Sequence, residues 1–150
     1  MKFKLGAIFL FLGLLVWNTP AFAGGIGYIN YQKVQENFPF AQQAIKEVDA
    51  KGLELQQYMV DKEKQYKALD TPLKKQTFED ATAKEFNAKQ EAFLRLKTQK
   101  EEQVYNKIQA ATKQVLVEQK LDAVIDFRVI FVGGVDISDL VIQKLKSGSF

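Results

Sequence analysis

From residue 40 to residue 120 the chain carries one glycine, Gly52, and one proline, Pro72. A segment this long, rich in Ala, Gln, Glu, Lys and Leu, has the composition of continuous helix. Its first half places Ala41, Ile45, Val48, Leu55, Met59, Tyr66 and Leu69 at alternating steps of four and three. Gly52 and Lys62 occupy the two remaining positions of that series. Such spacing draws one apolar stripe along a helix and calls for a partner helix. The second half repeats the pattern with Phe86, Phe93, Leu96, Val104, Ile108, Ala111 and Val115, interrupted at Lys100. Between the halves stands Asp70-Thr71-Pro72, where Thr71 suits a helix N-cap and Pro72 the first helical position. The chain is expected to turn back near residues 70–73, giving a helical hairpin over residues 39–118.

The arms of that hairpin are unequal. Residues 40–69 make a rod of ~45 Å and residues 73–119 one of ~70 Å at 1.5 Å per residue. The longer helix is expected to run on beside whatever the chain termini build, rather than break near Thr77–Asp80.

Those termini read differently. Ile26-Gly27-Tyr28-Ile29-Asn30-Tyr31 has the β-branched and aromatic content of one strand, and Pro39 marks the start of the first long helix. Residues 121–132 read as two short strands reversing near Asp126–Arg128 and ending at Gly133-Gly134. Asp136 or Ser138 then caps a short terminal helix whose Leu140, Val141 and Leu145 are placed to pack on the sheet. Together, residues 24–38 and 119–150 amount to 47 residues. A body this small falls below the ~70–80 residues that usually supply an adequate core without staples. Cysteine is absent, as is histidine, so neither disulfides nor a zinc cluster can supply the missing stability. Oligomerisation remains. The candidate residues of that oligomerisation body are Ile26, Tyr28, Ile29, Val124, Ile125, Val129 and Phe131. The expected class is α+β, mostly α: a long antiparallel coiled-coil hairpin projecting from a small, self-associating β body.

Residues 1–23 stand outside this plan. Lys2 and Lys4 precede an uncharged apolar run from Leu5 to Val16, and Pro20 is followed by Ala21-Phe22-Ala23. The run is too short for a spanning helix at ~20 residues and has the form of a cleavable signal peptide. Without the leader's two lysines the chain keeps 19 basic against 18 acidic residues. This near-neutral balance gives little general attraction to polyanions, and nucleic acid is not an expected partner.

Catalysis finds no support. The serines are Ser138, Ser147 and Ser149, with no histidine to activate them, and the Gly pairs lack the Lys-Ser/Thr of a phosphate-binding loop. Adjacent acids such as Glu101-Glu102 diverge on a helix and do not converge on a metal. No cofactor is expected. A local basic excess does stand out near the turn, in Lys62, Lys64, Lys67, Lys74 and Lys75, with the aromatic Tyr58 and Phe78 close by. These seven are candidate contacts for an acidic polypeptide or an anionic lipid headgroup, although acids follow at once at Glu79, Asp80 and Glu85.

The whole layout resembles the Skp/OmpH family of periplasmic chaperones. Its most specific parts are the two ends: Ile-Gly-Tyr-Ile-Asn-Tyr, Leu121-Asp122-Ala123-Val124-Ile125-Asp126, and Val135-Asp136-Ile137-Ser138-Asp139 before a short amphipathic helix. The resemblance implies a homotrimer in the periplasm of a Gram-negative bacterium, whose helical arms enclose a cavity. It further implies an ATP-independent holdase that keeps unfolded outer-membrane β-barrel proteins from aggregating. Well-known members are strongly basic and are thought to touch lipopolysaccharide, which the near-neutral charge here does not match. Two other readings stay open from the residues alone: a structural coiled-coil assembly factor of the envelope, and an anionic-lipid or lipopolysaccharide-binding module.

Overall fold

The computed structural model describes residues 24–149, so the expected leader lies outside the described residues. The order of elements is β1 (Ile26–Ile29), α1 (Tyr31–Glu36), α2 (Pro39–Lys67), α3 (Pro72–Glu118), β2 (Ala123–Asp126), a 3-10 turn (Phe127–Val129), β3 (Val135–Asp136) and α4 (Ser138–Ser147). The fold is α+β and mostly helical, with a long hairpin beside a small three-stranded sheet.

Local chemistry sets the helix ends. Pro39 and Pro72 each occupy the first turn of their helix, where the missing N–H has no helical partner to lose. Thr71 Oγ1 accepts from the Lys74 N–H at 3.4 Å as the cap of α3. α3 then runs unbroken for 47 residues, ~70 Å, past the end of the 29-residue α2. The antiparallel register is written in the pairs that cross between arms: Glu47 with Lys100, Gly52 opposite Phe93, Tyr58 with Glu85, and Tyr66 against Phe78.

The core gathers where α3 outruns α2. Val104, Ile108, Ala111 and Val115 of α3 pack with Val34 of α1, Phe38, Ala41 and Ala44 around the start of α2, and Ile137, Val141, Ile142 and Leu145 around α4. Ile29 and Val124 press one face of the sheet onto this cluster. Small residues on both arms, Ala41, Ala44 and Ala111, are fully enclosed there. Nearer the turn the same seam positions are only half covered, because two helices alone cannot surround a side chain.

Three expectations need correction. The first strand stops at Ile29: Asn30 Oδ1 accepts from the Lys33 N–H at 3.0 Å and starts α1, a helix the strand-like composition concealed. The segment 121–132 is not a pair of strands. Asp126 accepts from the Arg128 N–H at 2.9 Å and takes both arms of its guanidinium at 2.8 and 2.9 Å, so the carboxylate folds the backbone into a 3-10 turn. The third strand is Val135–Asp136 instead, and both pairings of β1 are parallel, in the order β2-β1-β3. Finally, α4 packs on α1 and α3 rather than on the sheet; Val141, Ile142 and Leu145 are buried while Leu140 stays exposed. Gly134 closes the approach to β3. Its φ is +85°, and a side-chain Cβ there would lie 3.2 Å from the Ile26 carbonyl oxygen.

Candidate functional site

Two surfaces carry the residues singled out from the sequence. The first is the sheet and the segment after it. Ile29 and Val124 face the helical core, whereas Ile26 and Ile125 lie exposed on the opposite face and Tyr28 is half-buried between them in register. Val129 and Phe131 belong to no strand and are exposed, as is Val132, while Val135 of β3 is half exposed. A parallel sheet normally has apolar cover on both faces. Here one face and the flanking segment lack it, and the outer edge of β2 pairs with nothing among the described residues.

One polar strut fixes the geometry of this end. Ser138, fully buried, was a candidate helix cap. Its hydroxyl instead accepts from the Asn30 N–H at 2.9 Å and donates to Asp136 Oδ1 at 2.6 Å. Neither candidate is the N-cap of α4, which is Ile137; Asp136, one residue earlier, accepts from the Ser138 N–H at 2.9 Å. Partial burial pushes the Asp136 carboxyl up, but the hydrogen bonds from Ser138 and the charge of Lys33 outweigh it and hold the group below its ordinary value.

The second surface is the half of the hairpin nearer the turn. The Tyr58 hydroxyl donates to Glu85 Oε2 at 2.7 Å, and Lys62 Nζ reaches the same oxygen at 3.0 Å. These hydrogen bonds, first from Tyr58 and then from Lys62, hold Glu85 below its ordinary value; the bond to Glu85 likewise raises Lys62. Lys62 also lies over the rings of Tyr58 and Phe78, at 5.2 and 5.4 Å from their centroids. This clasp ties the two helices along one edge of the seam.

Beside the clasp the seam is open. A groove of about 870 Å³ runs there between Gly52, Leu55, Met59, Val60 and Tyr66 on α2 and Phe78, Thr82, Ala83 and Phe86 on α3. Gln56, Lys62, Glu63 and Glu79 complete its lining. The Thr82 hydroxyl is buried without a hydrogen-bond partner, unlike Thr77 and Thr112, which donate to carbonyls one turn back. Leu55, Met59, Tyr66 and Phe86 are seam residues by their spacing, but spacing alone does not reveal the groove. The small residues Gly52 and Ala83, where the arms leave space, were the available signal.

The basic residues near the turn do not stand as bare charge. Lys64 pairs with Asp61 at 3.8 Å, Lys67 with Glu63 at 2.5 Å and Lys74 with Asp70 at 2.9 Å, all within one helix. Lys75 lies over the Tyr66 ring, 5.3 Å from its centroid. The structure thus brings Tyr58, Lys62 and Phe78 into one cluster and leaves Lys64, Lys67, Lys74 and Lys75 spread around the arm. Among the described residues no group of His, Cys, Asp and Glu could hold a metal ion, and no helix is long and apolar enough to cross a membrane.

Comparison with known proteins gives the fold a family. The family described as outer membrane protein (OmpH-like) matches residues 25–145. Among solved structures, the chain is similar to a candidate outer membrane chaperone (OmpH-like) from Caulobacter crescentus CB15, at 15% identity and a TM-score of 0.40, over 83% of this chain and 85% of that one. No curated protein matches. With the match spanning both ends and the hairpin between them, the chain belongs to the OmpH-like outer membrane protein family.

Proposed function

We propose that the protein is an ATP-independent periplasmic holdase that binds unfolded outer-membrane β-barrel proteins and keeps them from aggregating. Membership in the OmpH-like family supports the chaperone class. The observation that carries the reading is the distal seam: apolar side chains from both arms stay open to solvent along one edge, beside a small body with apolar surface of its own. In this reading residues 1–23 direct export and are removed, and residues 24–38 with 119–150 form the body. Three copies join through the uncovered sheet face and the Phe127–Val135 segment, and the hairpins, residues 39–118, project around a shared space. Weak contacts from several arms then add through effective concentration, so neither nucleotide nor a catalytic group is required.

Anionic lipid or lipopolysaccharide is a weaker candidate partner, because Lys62, Lys64, Lys67 and Lys74 each already face a carboxylate. The test dilutes a porin from urea into buffer with the purified protein and no nucleotide, following light scattering. Suppressed aggregation at a defined stoichiometry is expected. Unchanged scattering at every ratio would refute the proposal.

A further inference from the structure

We infer that the open groove beside the distal seam receives an extended polypeptide segment whose side chains alternate between apolar and uncharged polar. The inference rests on the holdase reading for the identity of its partner, and it assigns the contact to one place on the chain. Length comes first. The lining runs along α2 from Gly52 to Tyr66, about 21 Å at 1.5 Å per residue. An extended chain rising ~3.3 Å per residue lays about six residues along that distance, with every second side chain turned to the floor.

The floor suits those side chains. Leu55, Met59, Phe78 and Phe86 offer apolar surface from both helices, and Met59 can repack around different shapes. The polar lining residues suit the intervening ones. Gln56 presents both a donor and an acceptor to backbone or polar groups. Two of the charges nearby are already answered within the chain: Lys62 by Glu85 and Glu63 by Lys67. An anionic headgroup would have to break the Lys62–Glu85 contact to gain the lysine that lines the groove. A neutral polar side chain breaks nothing. Strands of a membrane β-barrel have this alternation.

The experiment measures fluorescence anisotropy of a labelled eight-residue peptide, Leu and Thr alternating, titrated with the full chain. A peptide of the same composition with its leucines contiguous is the comparison. Val60→Glu places a charge on the groove wall, and Val117→Glu, on an exposed site of α3 remote from the groove, is the control. Expected are binding of the alternating peptide at least tenfold tighter than the contiguous one, a loss of tenfold or more in Val60→Glu, and no change in Val117→Glu. Should Val60→Glu lose helicity by circular dichroism, Ala83→Glu on the facing wall replaces it. Equal binding by the groove variants and wild type would overturn the inference. Displacement of the peptide by phosphatidylglycerol vesicles but not by phosphatidylcholine would overturn it too, in favour of a lipid. If the peptide binds as expected while porin aggregation is unaffected, the holdase reading fails and the groove assignment stands. If Val60→Glu binds no peptide yet holds porin as well as wild type, the groove is not where the protein holds its client.

Discussion

Replacing Ser138 by alanine removes one oxygen from a fully buried site and separates three elements that the hydroxyl joins. The Asn30 N–H, at the junction of β1 and α1, loses its 2.9 Å acceptor, and Asp136 Oδ1 loses one of two donors from Ser138. Two hydrogen bonds at a net ~1 kcal/mol each give about 2 kcal/mol, within the ~1–3 kcal/mol that leaving a buried partner unsatisfied costs. The missing oxygen leaves a void too small to add a sizeable cavity penalty. Ser138→Ala is therefore expected to lower unfolding stability by about 2 kcal/mol. Ser147→Ala, which removes an exposed bond to the Lys144 carbonyl, should stay within ~0.5 kcal/mol of wild type. Urea unfolding followed at 222 nm, at one fixed chain concentration, measures both, since self-association would otherwise move the midpoint. A Ser138→Ala midpoint matching that of Ser147→Ala would show that the strut contributes nothing and that the body is held by apolar packing alone.

Other positions make sharp expectations. Gly52 sits inside α2, and an added Cβ would meet Phe93 Cε2 at 3.5 Å, an ordinary contact, so Gly52→Ala should raise stability by roughly 1 kcal/mol in the same assay. Thr82→Val removes a buried hydroxyl that has no partner and should stabilise the hairpin by about 1 kcal/mol, read as a higher thermal midpoint. Glu85 and Asp136 both titrate below their ordinary values of 4.5 and 3.8. Groups of that kind contribute stability above the unfolded pKa and lose it as pH falls through the lower folded one. Stability should accordingly decline as pH drops below about 4.5, and Glu85→Gln should flatten that acid limb, measured by urea midpoints from pH 7 to pH 3.

Much of the hairpin was legible because its signals are local. Pro39, Thr71 and Pro72 mark helix starts by their own chemistry, and the seam repeats often enough to override Gly52, Lys62 and Lys100. The body was harder to read. Tyr28-Ile29-Asn30-Tyr31 looks like one strand, yet Asn30 ends it, because a capping carbonyl on the Asn side chain competes with strand pairing. Ile130, Phe131 and Val132 have strand composition but no pairing partner among the described residues, and Asp126 turns the backbone toward its own Arg128. The role of Ser138 depends on Asn30, 108 positions away, and spacing along the chain cannot reveal it. The groove and its clasp likewise depend on the register between α2 and α3. Tyr58, Lys62 and Glu85 mean little until the hairpin sets them side by side.

The central claim is that copies of the chain join through the body and hold an unfolded client between their arms. Its most direct measurement is mass by light scattering, for the protein alone and after mixing with a urea-unfolded porin. The account predicts three times the mass of one chain at first, then a soluble species heavier by one porin. A particle with the mass of a single chain, unchanged when porin is added, would contradict it.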